Sequence, residues 1–219
     1  MRCAATVAGF HRLRLALLRQ RLPIIPLRNA RGQRSRPEQR HSNNPTGQVI
    51  TMSLSERWKP STTVAAVIER DGRFLLIEEH TPEGLRLNNP AGHLDPGESP
   101  QEACVREVLE ETAHAFSPTA LLGIYYGRFQ RPASPNWPQG EDISYMRFAF
   151  CGSVGEAIAG RSLDTGIVRT LWLTPDEVRA TRARHRSAYL LACMEDYLRG
   201  QRYPLELVRT DASVYGPLG

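Results

Sequence analysis

Of the 28 basic residues in this chain of 219, only Lys59 is a lysine. No physical argument demands that imbalance, and it reads as a bias of coding composition. No apolar run reaches the roughly 18 residues that a membrane-crossing helix needs, which excludes a transmembrane helix. The four cysteines (Cys3, Cys104, Cys151, Cys193) lie far apart and include no Cys-x-x-Cys pair. That leaves no disulfide framework and no zinc ribbon, and it points to a reducing, cytoplasmic setting. Internal repeats are absent too. What is present is enough for a core: hydrophobic residues are 41% and aromatics 7%, which excludes a collagen-like chain, a mini-protein scaffold and a wholly disordered chain.

Acids are nearly missing from the first quarter. Residues 1–51 hold ten arginines against one acid, Glu38, while the remainder holds 18 basic and 22 acidic residues. The net charge of +5 therefore belongs to a basic leader, and the body, residues 52–219, is mildly acidic. Phe10 to Leu22 could form a short helix with Leu13, Leu17 and Leu18 near one face, stopped by Pro23 and Pro26. Asn29 to Gly47 has the composition of disorder. A secretory signal fails, because arginines at 12, 14, 19 and 21 interrupt any apolar segment. The leading reading is upstream sequence ahead of a true start at Met52. A mitochondrial-type presequence is the second reading, and a nucleic-acid-binding arm, with Phe10 as its only aromatic, is the third.

In the body, Thr63 to Glu69 and Arg73 to Glu79 read as strands joined at Arg70-Asp71-Gly72, an Asp-Gly turn signal. His80 to Asn89 reads as a loop. Ser99 then caps a helix with Pro100 first and Glu102 completing a capping box; the helix runs to about Ala113. Leu121 to Gln130 and Tyr145 to Val154 read as strands around a long loop, Arg131 to Gly140, of the kind that is often functional. Ile167 to Leu173 is a further strand. Thr174-Pro175-Asp176-Glu177 repeats the cap pattern, and Ser187 to Leu198 is a last helix. The expected class is α/β, a mixed sheet with helices on its faces.

The helix after Ser99 carries the chemistry. At about 100° per residue, Glu107, Glu110 and Glu111 share an arc of roughly 100°, while Val105, Val108, Leu109 and Thr112 take the other side. Like charges so spaced repel, and a divalent cation would offset that more than Arg106 beside them can. A ligand set made only of oxygen points to Mg²⁺ or Mn²⁺, since zinc prefers His or Cys in the set. The competing reading of the helix alone is a solvated acidic face.

Spacing around the helix decides between them. Gly92 is followed after five residues by Glu98, and seven residues later by Arg106-Glu107-Val108-Leu109-Glu110-Glu111. This resembles the signature of the Nudix hydrolases, G-x5-E-x7-R-E-U-x-E-E-x-G-U with U bulky and apolar. Every charged position is filled; Ala113 and His114 depart, standing where the family has glycine and an apolar residue. The resemblance implies an α/β/α sandwich and hydrolysis of a nucleoside diphosphate linked to another group. It implies Glu107, Glu110 and Glu111 as metal ligands, with Glu107 also a candidate base. Arg106 would hold the carboxylates, Glu98 would pair with Arg106, and Gly92 would let the backbone pass close to phosphates. Asn89-Pro90-Ala91-Gly92-His93-Leu94 and Gly200-Gln201-Arg202-Tyr203-Pro204-Leu205-Glu206 are similar to the NudJ-type phosphatase subfamily over about Trp58 to Val208. That subfamily acts on nucleoside tri- and diphosphates and on hydroxymethylpyrimidine pyrophosphate. Arg86 stands where a tryptophan is common there, which alters the pocket wall.

Beyond the helix, Glu141 or Asp142 would help activate water, or else form an acidic loop tip. Arg147 would pair with substrate phosphate, or else face outward from its strand. With Gly92, Arg86 and Asn89 it makes the expected substrate set; Glu107, Arg106, Glu98 and Glu141 make the catalytic one. His93 reads as a local hydrogen-bond donor more than a phosphate ligand. Trp137, Tyr125 and Tyr145 are candidates for stacking on a base, with Tyr125 read as core. Cys104 reads as packing. The partner is a small phosphoanhydride, with no membrane; the acidic body argues against nucleic acid, and a monomer is expected. A Nudix fold that binds nucleotide as a sensor without turnover is the alternative. That version normally lacks a box carboxylate, and none is missing here.

Overall fold

The computed structural model describes residues 58–135 and 138–217. The leader, Met52 and Trp137 lie outside the described residues, and so do the readings that concern them.

Strands β1 (Ser61–Arg70) and β2 (Arg73–Thr81) form a hairpin. Asp71 (φ 51°) and Gly72 (φ 75°) are both left-handed at its turn, the conformation that matches a two-residue turn to strand twist. The segment expected as a loop is in part a strand. β3 (Gly84–Asn88) pairs antiparallel with β2, Ile77 opposite Asn88 and Glu79 opposite Arg86. The Thr81 hydroxyl donates to the Gly84 carbonyl at 2.8 Å, and Gly84 itself has φ 98°. Five residues with little strand propensity are held by their partner strand, a tertiary effect that overrides local preference. β4 (Ala91–His93) is a short strand laid antiparallel on β1, with Thr63 opposite His93.

The next pair is longer than its apolar stretches. β5 (His114–Arg131) and β6 (Glu141–Ala157) stay in register to Arg131 and Glu141, with irregularities near Phe116, Ala120 and Gly123. β6 also runs parallel to β1, with Thr63 beside Arg147. β7 (Ile167–Leu173) closes the other side on β2. The sheet order is β3-β2-β1-β6-β5, with one parallel pairing among antiparallel ones. It is the mixed sheet expected.

Helices cover both faces. α1 (Pro100–Thr112) buries Ala103, Cys104 and Val108 against Val64, Ala66, Ile68 and Phe150. α3 (Ala188–Leu198) buries Leu190, Cys193 and Met194 against Val67, Leu76, Leu122 and Ala149, with Val178 of α2 (Pro175–Ala180) beside them. Because strand side chains alternate, Val64, Ala66 and Ile68 serve one layer and Val67 the other. This is the α/β/α sandwich. Among the described residues no helix is long and apolar enough to cross a membrane.

Both ends of α1 are fixed locally. Glu102 N–H donates to Ser99 Oγ at 3.2 Å, and Ser99 N–H donates to the Glu102 carboxylate at 2.7 Å. Ala113 ends the helix in the left-handed region, φ 58° and ψ 17°, its N–H donating to the Leu109 carbonyl. A Cβ there costs about 1 kcal/mol relative to glycine. The segment after α3 holds α1 from the side: Tyr203 exchanges backbone hydrogen bonds with Leu121 of β5, and Gln101 Nε2 donates to the carbonyls of Leu205 and Val208.

Candidate active site

Arg106 organises the polar face of α1. Its Nε and Nη2 grip both oxygens of Glu98 at 3.0 and 2.7 Å, and Nη2 also donates to the His93 carbonyl at 3.0 Å. Its Nη1 donates to Glu107 Oε1 at 2.8 Å and to Glu110 Oε2 at 3.1 Å. Two helix carboxylates thus converge on one positive nitrogen, and the loop ahead of the helix is tied to the same guanidinium. The hydrogen bonds from Arg106, with help from the Asp95 N–H, hold the Glu98 carboxyl below the usual range.

Glu107 and Glu111 point inward. A Cβ built at Gly92 would fall inside the Glu107 carboxylate, so the missing side chain at 92 makes room for a carboxylate. Sequence alone assigned that room to phosphate. Glu111 Oε2 accepts the Ala91 N–H at 2.8 Å. Both are less than a tenth exposed. Burial raises the Glu107 carboxyl, with Arg106 opposing, and pushes Glu111 up to about 8, where the Ala91 hydrogen bond opposes and the nearby charges of Glu107, Glu79 and Asp164 add to the rise.

Among the described residues no three His, Cys, Asp or Glu side chains are drawn together tightly enough to hold a metal ion by themselves. The donor set still suits a hard divalent cation. Its members are all oxygen, Glu107 and Glu110 already share one positive partner, and burial disfavours the negative form of Glu107 and Glu111, which a bound cation would favour.

Other expected site residues scatter. Asn89 is buried at the end of β3, and Arg86 is half-buried on β3 opposite Glu79. Arg147 does not face outward: it is 9% exposed, and its Nε and Nη1 have no hydrogen-bond partner among the described residues. Glu141 pairs with Arg131 at 3.2 Å and stands six positions before Arg147 on β6, about 20 Å of extended strand. Asp142 is an exposed partner of Arg128. No interaction among the described residues joins either acid to α1. His93 is exposed, its ring 6.4 Å from that of Tyr145. Tyr125 is half-buried and donates to Asp196 at 2.6 Å. Cys104 is fully buried and free, its thiol pushed up by desolvation.

Two acids near the helix carried no pattern to find them by. Glu79 follows the apolar run of β2, is 8% exposed, and pairs with Arg186 through one oxygen while the other has no partner among the described residues. Asp164 lies in an irregular loop whose N–H donates to the Glu110 carbonyl at 3.0 Å.

A family model described as the NUDIX domain matches residues 58–192. Among curated proteins the chain is similar to Phosphatase NudJ of Escherichia coli (strain K12), 29% identical over 151 residues that cover 69% of this chain and 92% of that protein. Among solved structures it is similar to a NUDIX hydrolase from Nitrosomonas europaea, with 48% identity, a TM-score of 0.61, and coverage of 70% of this chain and 98% of that one. A second NUDIX hydrolase from Nitrosomonas europaea shares the fold at 17% identity and a TM-score of 0.52, covering 68% of this chain and 77% of its own.

Proposed function

The chain belongs to the NUDIX hydrolase family, and from that premise we propose that it is a Mg²⁺- or Mn²⁺-dependent hydrolase of phosphoanhydrides. Its substrates on this reading are nucleoside di- and triphosphates and small pyrophosphates such as hydroxymethylpyrimidine pyrophosphate. The similarity to a protein named a phosphatase, Phosphatase NudJ, supports the substrate class. The observation that carries the reading is Glu107, a carboxylate buried in the space left by Gly92 and held by Arg106.

Glu107, Glu110 and Glu111 would hold the divalent cation, which would supply charge neutralisation at the phosphoryl oxygens. The chain's own residues do the rest. Glu107 takes the proton of the attacking water at a carboxylate oxygen. Arg106 fixes the direction of that carboxylate, and Glu98 fixes Arg106 through two hydrogen bonds. Ala91 N–H holds Glu111 in place. On this reading Arg86, Asn89 and Arg147 would serve the substrate. Cytoplasmic residence is part of the reading, supported by the free, buried thiols of Cys104, Cys151 and Cys193.

The test is phosphate release by the full chain with Mg²⁺ across nucleotides and thiamine-related pyrophosphates. Glu107→Gln keeps shape and removes charge, and kcat should fall at least about a hundredfold while KM changes much less. Near-wild-type turnover in that variant sinks the assignment. Binding without any turnover by the wild-type chain would favour the sensor.

A further inference from the structure

We propose that Arg147, Thr63 and the first turn of α3 form a subsite for a terminal phosphate of the substrate, so that the enzyme selects diphosphates with a free phosphate end over diphosphates capped at both ends. The proposal rests on the hydrolase reading above and adds which end of the substrate is recognised.

Arg147 sits in the middle of the sheet, flanked by Thr63 on β1 and Tyr125 on β5. Its side chain lies on the α3 face: the guanidinium carbon is 5.4 Å from the centre of the Tyr189 ring. More than nine-tenths of the residue is buried, yet among the described residues Nε and Nη1 have no acceptor and no carboxylate pairs with it. A desolvated guanidinium without an anion is a standing cost to the fold, and burial accordingly lowers its proton affinity. An oxyanion removes that cost.

The neighbours have the same deficit. Thr63 is 6% exposed and its Oγ1 has no partner. Ser187 is the N-cap of α3, but its side chain makes no cap hydrogen bond and its Oγ is buried and unpartnered. At the starts of α1 and α2, by contrast, Ser99 and Thr174 complete capping boxes. The first turn of α3 thus has no side-chain cap on its N–H groups and presents the positive end of a helix dipole beside Arg147. Arg186 adds charge at the same corner and is anchored there, its N–H on the Leu87 carbonyl at 2.9 Å and its guanidinium on Glu79. The charges of Glu111 and Arg186 both act on Arg147, which puts the subsite within electrostatic reach of the α1 carboxylates.

Charge and access select the terminal phosphate. A phosphate monoester end carries between one and two negative charges at neutral pH, more than the single charge of a diester, and a guanidinium fork matches its oxygens. Arg147 and Thr63 are each under a tenth exposed, so the group that reaches them is small.

The first measurement is calorimetric titration of the full chain with inorganic pyrophosphate in chelator, which needs no reaction. Arg147→Met should weaken binding at least tenfold and Thr63→Val several-fold. Without ligand, Arg147→Met should melt at a higher temperature than wild type, which a merely structural arginine would not allow. Where Arg147→Met misfolds, Arg147→Lys replaces it, with the same expected direction in binding. In turnover, Arg147→Met should lose at least a hundredfold in kcat/KM on a nucleoside triphosphate and under threefold on a dinucleoside polyphosphate. Wild-type pyrophosphate affinity in the Arg147 and Thr63 variants, no pyrophosphate binding by the wild-type chain, or equal losses on both substrates overturns the subsite. Absence of any turnover by the wild-type chain overturns only the hydrolase reading.

Discussion

The carboxylate of Glu107 occupies the place where a side chain at Gly92 would begin. One residue is on α1 and the other on β4, fifteen positions apart in sequence, so the spacing between the glycine and the acid is a packing requirement. Glu111 repeats the relationship one turn on by accepting the neighbouring Ala91 N–H. The short strand β4 is the floor on which both acids rest.

Gly92→Ala is therefore expected to displace Glu107 without unfolding the sheet. Gly92 is not among the positive-φ glycines, so the backbone accepts alanine and the cost is steric. Turnover should fall by about a hundredfold or more, the scale of losing a positioned catalytic group, while Tm drops by a few degrees. Steady-state kinetics and a thermal melt on the same sample check it. Full activity would mean that the Glu107 position seen here is not the working one.

Acid stability should report on Glu98. Its carboxyl is held below the usual range chiefly by the hydrogen bonds from Arg106, so its folded pKa is lower than its unfolded one. The stability it contributes is present above its unfolded pKa of about 4.3 and is lost as pH falls through the lower folded value. The Tm difference between wild type and Glu98→Gln should be largest near pH 6–7 and close below about pH 3. A difference that stays constant across that range would refute the Arg106–Glu98 pairing as its source.

Magnesium should raise the melting temperature. A ligand that binds only the folded state stabilises by RT ln(1 + [L]/Kd), about 2.7 kcal/mol at a hundred times Kd. Burial disfavours the charged form of Glu107 and Glu111 in the metal-free chain, and bound cation relieves that. Differential scanning of the full chain in chelator and in millimolar Mg²⁺ should show the rise, and Glu107→Gln should lose most of it. An unshifted wild-type Tm would count against a site at these carboxylates.

Legibility in the sequence followed the range of the interaction. The start of α1 was readable because its signals are local, Ser99 and Glu102 at the cap and the apolar and acidic faces after it, while its end at Ala113, where glycine would be expected, carried no such signal. β7 was readable at both ends for the same reason, as an apolar run between turn residues. β3 was not, since Gly84 to Asn88 is a strand only while β2 lies beside it. The outer thirds of β5 and β6 are strand by mutual pairing through Arg131 and Glu141. In the site, Glu98, Arg106 and the helix acids could be named from spacing. Glu79, Asp164, Thr63 and Ser187 come from four separate segments and only the closed sandwich relates them. Arg147 could be named but not placed: strand alternation shows which face it takes, and only packing shows that this face is under α3.

Substrate breadth is the last expectation. Discrimination above about 10⁴ requires a site whose fixed polar groups are left unpaired by the wrong base. The buried polar groups found here gather elsewhere. Arg147 and Thr63 lie under α3, and Asn88 and Asn89 are each at most 5% exposed, too enclosed to present an edge to a base. The described residues of the loop between β5 and β6 are open: Pro132 is exposed, as are Ala133 to Pro135 and Pro138 and Gln139, while Tyr145 is half-buried beside His93. Such groups favour stacking and adaptable contacts, and stacking accepts any base because each has a π-face. Selection then falls on the phosphate end and leaves the base nearly unread. The four common ribonucleoside triphosphates should be hydrolysed with kcat/KM values within about tenfold of one another, with hydroxymethylpyrimidine pyrophosphate also accepted, all at one Mg²⁺ concentration. A preference for one base beyond about a thousandfold would require a rigid base pocket, and would transfer the specificity from the phosphate corner under α3 to the loop between β5 and β6.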